Sequence, residues 1–377
     1  MANIFVPKET SAGEVRVAAV PETVRRYVKD GLSVFIESGA GVSSNFDDAS
    51  YTEAGATMVS PDGGWSKADL VLKVSPPTVA ETAMMRRGAI LVSFVYPTRN
   101  IDVVKALRSQ GVSSVAMELI PRITRAQTMD ALSSQASIAG YKAVLLAAGR
   151  LGKYFPLLMT AAGTIKPARV VIMGAGVAGL QATATAKRLG AVVEVSDIRP
   201  AVKEQVESLG GKFIALPMEE SGEGAGGYAK EMSEDFLRRQ REIVAERVAA
   251  SDVVITTAQV PGKKAPTLVT GEMVRSMKRG SVIIDLAVDS GGNCELSEPE
   301  REVEKHGVHI LGYSNLPATV PQDASTMYSR NLMALLGEII KEGEIRIDLG
   351  NDVIDPSLLL HEGEVRHQPT REMMGDV

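Results

Sequence analysis

A chain of 377 residues, 45% hydrophobic and 23% charged, is longer than one ordinary domain and far too apolar for a disordered polymer. Its formal net charge of −5 lacks the basic footprint that nucleic-acid binding requires. The one cysteine, Cys294, excludes an internal disulfide framework and a cysteine-based zinc cluster, and no metal site is expected.

The opening "MANIFVPKET" reads as a strand without the basic and apolar segments of a secretory signal, so a reducing cytoplasmic setting is expected. The first third alternates β-rich runs with helical patterns: "NIFVP", "PETVRRYVKDG", "LSVFIES", "DLVLKV", "AILVSF", "IDVVKALRSQG" and "SSVAMEL". That rhythm predicts βαβ units around a parallel sheet, with Pro21 opening a helix and Gly31 closing it. From about Met129 to Leu151 the chain is rich in small residues and free of proline, which predicts one long helix joining two domains. After the loop "TAAGTIKPA" the alternation restarts with "RVVIMGAG", "AVVEVSD", "KFIAL", "DVVITTA", "SVIIDLA" and "VHILGYS", a second doubly wound sheet.

"DASTMYSRNLMALLGEIIKEG" reads as another long helix, returning the chain to the first domain, and residues after about 361 read as a polar tail. The expected architecture is α/β, with two Rossmann-like doubly wound parallel-sheet domains joined by long helices. Residues 1–128 with 322–377 form one domain, and 129–321 the nucleotide-binding one. The apolar runs are shorter than the roughly 18 residues a spanning helix needs, so no membrane span is expected.

In "VVIMGAGVAGLQATATAKRLGAVVEVSD", Gly174, Gly176 and Gly179 stand between a strand and a helix, and Asp197 follows the next strand. A tight turn, a backbone approach to pyrophosphate and close helix packing each require one of those glycines, and an acid at that distance suits the adenosine ribose hydroxyls. A lone glycine pattern is weak evidence; the strand, spacing, helix and acid together favour a dinucleotide site over a turn that binds nothing. Asp197 favours NAD over NADP, although Arg199 beside it is a residue type that accepts a 2′-phosphate.

Oxidation of an alcohol or amine moves a proton with the hydride and calls for an acid or base. The four histidines, His306, His309, His361 and His367, all lie in the last fifth of the chain, and His306 and His309 read as surface or edge residues. Exchange between two nicotinamide rings needs alignment instead. Arg122, Gln127, Asp130 and Ser133 are suitable for that, and equally for a capped helix start with Asp130 at the positive end of the dipole and Arg122 in solvent.

The runs "MELIPRITRAQTMDALSSQASIAGYKAV", "MTAAGTIKPARVVIMGAGVAGLQATATAKRLGA", "KEQVESLGGKF", "AGGYAKEM" and "GSVIIDLAVDSGGNCELSEP" closely resemble the NAD(H)-binding component of proton-translocating NAD(P) transhydrogenases. The resemblance covers nearly the whole chain and extends to alanine dehydrogenase. It implies that Arg122, Gln127, Asp130 and Ser133 hold the nicotinamide end of NADH between the domains. It places Val177 in the glycine turn, and Asp197, Ile198 and Arg199 around the adenosine ribose. It sets Gly227 and Tyr228 at the tip of a closing loop, and Gln240 and Gln259 along the nucleotide. It leaves Arg125 without a role.

The resemblance further implies NADP(H) on a separate subunit, membrane-spanning partner subunits that couple hydride transfer to proton movement, a homodimer, and a peripheral place on the inner face of the cytoplasmic membrane. Glycine-rich "SGEGAGGYAKEM" suits a lid, although composition alone favours a plain surface loop; the resemblance reverses that balance. Two alternatives stay open, an amino-acid dehydrogenase of the alanine dehydrogenase kind and a non-catalytic NAD-binding protein. For the first, Arg16 and Lys73 match basic substrate positions, but Tyr96 falls near the place of the histidine. Lys73 also reads as a strand-end lysine reaching solvent.

Overall fold

The computed structural model describes residues 2–215, 234–259 and 263–375, with backbone alone at 234–237 and 240. Contacts divide it into two compact units, Met1–Gln135 with Val320–Val377, and Ala136–Thr319.

In the first unit the described strands begin with β1 (Asn3–Val6), β2 (Ser33–Glu37), β3 (Thr57–Val59), β4 (Leu70–Leu72), β5 (Ile90–Ser93) and β6 (Ser113–Ala116). They pair in parallel in the order β3-β2-β1-β4-β5-β6. Successive side chains alternate between two cores. Ile4, Val6, Leu70, Leu72, Ile90 and Val92 enter one, and Phe5, Val71 and Leu91 the other. β4 and β5, covered on both faces, are buried throughout and show no polar alternation.

The second unit opens with a small antiparallel hairpin, β7 (Leu158–Thr160) and β8 (Gly163–Ile165), outside the large sheets. Then follow β9 (Arg169–Met173), β10 (Val192–Ser196), β11 (Lys212–Phe213), β12 (Val253–Thr256), β13 (Val282–Asp285), β14 (Arg301–Lys305) and β15 (Val308–Gly312). Their order is β11-β10-β9-β12-β13-β15-β14, parallel except for the β14 edge. Val170, Ile172, Val253, Ile255, Val282 and Ile284 fill one core, and Val171, Met173, Val254 and Ile283 the other.

The helix Pro321–Ile339 packs Tyr328, Leu332, Leu335, Leu336 and Ile339 into the first unit's core. After the hairpin β16 (Ile340–Lys341) and β17 (Glu344–Ile345), the strands β18 (Leu358–His361) and β19 (Glu364–Val365) extend that unit's sheet antiparallel beyond β6.

The structure differs from the sequence reading at four places. The loop "TAAGTIKPA" contributes to the β7–β8 hairpin, whose three-residue strands are too short to show a period. β14, "REVEK", is an exposed edge strand whose charges guard it against pairing and hide its strand character. Beyond residue 361 the chain is not a tail: it forms β19 and the helix Gln368–Met374, with buried Thr370 bonded to His367 Nδ1 at 2.8 Å. The long helix runs Ala131–Arg150, preceded by a 3-10 segment over Thr124–Met129.

Small residues in the Ala131–Arg150 helix permit close packing. A Cβ on Gly140 would lie 2.1 Å from the Ala178 carbonyl oxygen, whereas one on Gly149 would meet nothing. Replacing glycine by alanine inside a helix ordinarily gains about 1 kcal/mol. Gly149→Ala is therefore expected to hold or raise the melting temperature, and Gly140→Ala to lower it by several degrees because a backbone atom must move, at about 1–3 kcal/mol. Thermal unfolding of both variants checks this; equal behaviour would remove the packing role assigned to Gly140.

Candidate functional site

In the second unit, strand order reverses between β9 and β12, and the crevice outside the carboxyl ends of such neighbours is where open α/β sheets take ligands. The turn leaving β9 carries the three glycines. Gly174 has φ +105°, a conformation L side chains rarely adopt, and its N–H donates to the Ser196 carbonyl at 2.8 Å. Gly179 presses on the turn: a Cβ there would lie 1.8 Å from the Gly174 carbonyl oxygen.

Gly176 caps the helix Val177–Arg188, and a Cβ on it would meet no atom within 4 Å. Val177, the first helical residue, is exposed. The turn thus presents approachable backbone at the positive end of a twelve-residue helix, which fits a phosphate.

Asp197 follows β10 and is buried. One carboxylate oxygen accepts the Ala175 N–H at 2.6 Å and Arg199 Nη2 at 2.8 Å; the other accepts the Arg199 N–H at 2.8 Å and Nε at 2.9 Å. The acid therefore fastens the glycine turn to β10, and its ion pair with Arg199 covers the oxygens a ribose diol would use. Ile198 between them is half-buried. Gln259, beyond β12, is exposed and donates Nε2 to the Leu286 carbonyl at 3.1 Å. Gly227 and Tyr228 lie outside the described residues, as does the side chain of Gln240 in the helix Glu234–Ala250.

The polar loop before the long helix belongs to the first unit. Ala126 and Met129 are buried in its core, and Asn331 Nδ2 holds the Thr128 carbonyl at 2.8 Å. Arg125 donates to Glu338 at 3.0 Å, to Asn351 at 2.8 Å and to Asp352, so its place is structural: it ties the loop to two later segments. Asp130 accepts the Ser133 N–H at 2.9 Å and the Ser133 hydroxyl at 2.6 Å, a capped helix start. Arg122 and Gln127 stand exposed on the same loop. Sequence reasoning missed the Asn331 anchor, because a contact 203 positions away leaves no local signal.

The first unit also has a switch point, between β1 and β4, and there ionisable side chains fill it. Lys73, just beyond β4, is 1% exposed, with Glu9 at 3.2 Å and Glu81 at 3.3 Å. The reading of Lys73 as a solvent-reaching lysine is therefore corrected: the carboxylates on the neighbouring segments replace water. Buried Arg16 forks onto Glu14 at 2.8 and 2.6 Å and donates to Gln135 at 2.7 Å. Burial pushes the Glu9 carboxyl up, towards its neutral form, whereas the Arg16 guanidinium outweighs burial and holds Glu14 below the ordinary value. Tyr96, at φ +47° and stacked on Phe94 with ring centroids 5.6 Å apart, gives this cluster no histidine.

Other nucleophile and acid/base candidates fall away on geometry. Burial pushes the Cys294 thiol up to about 12, which keeps it inert. His309 lies beside Arg150, and His306 occupies the β14–β15 turn at φ +56°. Among the described residues no group of His, Cys, Asp or Glu is arranged to hold a metal ion.

Residues 5–139 match the family described as Alanine dehydrogenase/PNT, N-terminal domain, and residues 143–368 match Alanine dehydrogenase/PNT, C-terminal domain. The chain is 48% identical over 374 residues to a NAD(P) transhydrogenase subunit alpha polypeptide of Rhodospirillum rubrum, covering 97% of each. It is similar to the solved transhydrogenase of Sinorhizobium meliloti, with TM-score 0.88 and 42% identity over 96% of this chain and 99% of that one. A solved L-alanine dehydrogenase follows at TM-score 0.83 and 29% identity, covering 99% of each.

One acid in the first unit titrates near neutrality. Glu118 accepts the Val95 N–H at 3.1 Å and the Tyr96 N–H, yet burial outweighs these bonds and raises its carboxyl from 4.5 to about 7. A pKa raised by folding gives stability that is complete below the unfolded value and lost as pH climbs through the folded one. Glu118→Gln, neutral throughout, is expected to flatten the fall in stability between pH 4.5 and 7, by about 3 kcal/mol at most. Urea unfolding of both proteins across that range checks it; parallel profiles would show that Glu118 titrates as an ordinary acid.

Proposed function

The chain belongs to the NAD(P) transhydrogenase alpha-subunit family, built from the two Alanine dehydrogenase/PNT domains, and from that premise we propose that it binds NAD(H) and exchanges hydride with NADP(H) held on a partner subunit. One observation carries this reading: the glycine turn, an accessible helix start and the acid Asp197 meet at the switch point of one sheet. Gly174, Gly176, Val177 and Gly179 take the pyrophosphate, and Asp197, Ile198 and Arg199 surround the adenosine ribose, with Gln240 and Gln259 along the nucleotide and Gly227 and Tyr228 closing over it.

Arg122, Gln127, Asp130 and Ser133 orient the nicotinamide. The two nucleotides supply hydride donor and acceptor, and transfer between their C4 atoms needs no proton at either carbon. The chain's task is alignment and exclusion of water. The anchored base of the loop supports this, since a group that aligns must itself be held. For Asp197 to receive the ribose hydroxyls it trades its bonds to the Arg199 side chain for bonds to the diol, one set of donors for another.

Proton translocation belongs to membrane-spanning partner subunits, with this chain docked at the inner face of the cytoplasmic membrane. Among the described residues no helix is long and apolar enough to cross a membrane. The exposed hairpin supports self-association into a homodimer: Met159 is 75% exposed, beside exposed Leu157 and Ile165. An amino-acid dehydrogenase reading has the shared fold behind it. Against it, the buried cations Arg16 and Lys73 are already matched by Glu9, Glu14 and Glu81, so a substrate carboxylate would displace an internal ion pair.

Mixing the purified chain with an NADP(H)-binding transhydrogenase component is expected to give reduction of an NAD analogue by NADPH. NADH binding without exchange would overturn the catalytic reading, and NAD reduction by alanine in the isolated chain would establish the dehydrogenase one. Gln127→Asn is expected to slow exchange by on the order of tenfold to a hundredfold while the Kd for NADH moves about twofold, because alignment acts on the transition state. Equal losses would mark Gln127 as a binding contact only. Met159→Asp is expected to shift the sedimenting species towards monomer, and an unchanged profile would exclude the hairpin from the interface.

A further inference from the structure

The segment "DLAVDSGGNCEL" lies outside the glycine turn and the polar loop, yet it holds a densely bonded pair of buried polar residues in the second unit. Asp285 ends β13 and is fully buried. Its carboxylate accepts Thr256 Oγ1 at 3.1 Å, Ser297 Oγ at 2.7 Å and the N–H groups of Ala287, Asn293 and Cys294 at 2.9 to 3.0 Å. Gly292 makes the fold of this turn possible: at φ +78° it passes so near the acid that a Cβ would lie 2.9 Å from Asp285 Oδ2.

Asn293, delivered by that turn, is also fully buried, and its side chain reaches across to the segment leaving β12. Its Oδ1 accepts the Ala258 N–H at 3.0 Å, and its Nδ2 donates to the Ala258 carbonyl at 2.9 Å and to the Pro266 carbonyl at 2.8 Å. Both backbone polar groups of Ala258 are thus gripped by one side chain. The residue before it, Thr257, donates its hydroxyl to the Gly174 carbonyl at 3.2 Å, and its N–H to the Met173 carbonyl at 2.9 Å. A continuous path of hydrogen bonds runs from Asp285 through Asn293 and Ala258–Thr257 to the glycine turn.

We infer that Asn293 is a positioning residue: it fixes the β12 side of the switch-point crevice and thereby sets affinity for the half of the dinucleotide that lies beyond the pyrophosphate. The inference rests on the NAD(H) site proposed above. Its physical content is directional. Asp197 stands at the end of β10, on the other side of the glycine turn from β12, and its bonds to Ala175 and Arg199 do not pass through Asn293. Loss of the Asn293 grip therefore loosens one wall of the crevice and leaves the adenosine side intact. A purely structural asparagine would instead lower global stability and weaken every ligand alike.

The test compares NADH with AMP, which carries adenosine and one phosphate but nothing beyond the pyrophosphate, by titration calorimetry on the full chain. Asn293→Ala is expected to raise the Kd for NADH about tenfold while the Kd for AMP changes less than about twofold. Asn293→Ser, which keeps a small polar side chain but cannot span both Ala258 groups, is expected to shift NADH in the same direction with AMP again unchanged; it carries the test should the alanine variant fail to fold. Equal weakening of both ligands, or no change in either, overturns the inference. A wild-type chain that binds neither NADH nor AMP overturns the proposed function instead.

Discussion

The second unit depends on one approach of backbone to backbone. Gly179 lies so close to the Gly174 carbonyl that no side chain fits between them, and this contact sets the first turn of the Val177–Arg188 helix directly over the end of β9. The helix start then has one direction in which to point, outward from the carboxyl edge of the sheet. Asp197 reinforces the geometry by holding Ala175 from the neighbouring strand end, and Thr257 does so from the other side. An anion-favouring surface arises here from three supports around a turn with little bulk of its own.

Both units use the same progression of parallel strands, outward from a first strand and then back across it, and so each has a switch point. They fill it in opposite ways. In the second unit it is lined by glycines and backbone N–H groups. In the first it holds Arg16, Lys73, Glu9, Glu14 and Glu81, buried and paired with one another. A buried set of this kind costs desolvation, which close pairing and further hydrogen bonds must offset. Here the carboxylates come from segments that follow β1 and β4, so the pairs also bind the loops of that edge together. Tyr328 adds to the same knot by donating its hydroxyl to the Lys73 carbonyl at 2.7 Å.

Much of this was legible in the sequence because its signals are local. Apolar runs of four or five residues between turn residues mark strands buried on both faces, and the glycine spacing with an acid one strand later marks the βαβ unit. What stayed hidden depends on distant partners or on elements that lack a pattern of their own. Arg125 has no role in the sequence reading until Glu338 and Asp352 are brought beside it by the returning chain. Asn293 carries no local signal, since its partners Ala258 and Pro266 lie on the previous crossover. β14 is concealed by its own charges, and the β7–β8 hairpin by its length.

The polar loop ahead of the Ala131–Arg150 helix admitted two readings from spacing alone, a helix cap or a site, and the geometry divides the labour among its residues. Both oxygens of Asp130 are engaged by Ser133, so these two define where the helix begins and how the preceding turn is held. Arg125 and the Thr128 carbonyl face structure, and Ala126 and Met129 face the core. Arg122 and Gln127 stand exposed on the loop. A cap and a site are therefore not competing explanations: ring alignment needs a side chain whose backbone is fixed within a fraction of an ångström, and the cap is what fixes it. In the proposed function Gln127, a neutral group able to donate and accept towards a carboxamide, is the residue on this loop whose chemistry suits the orienting role.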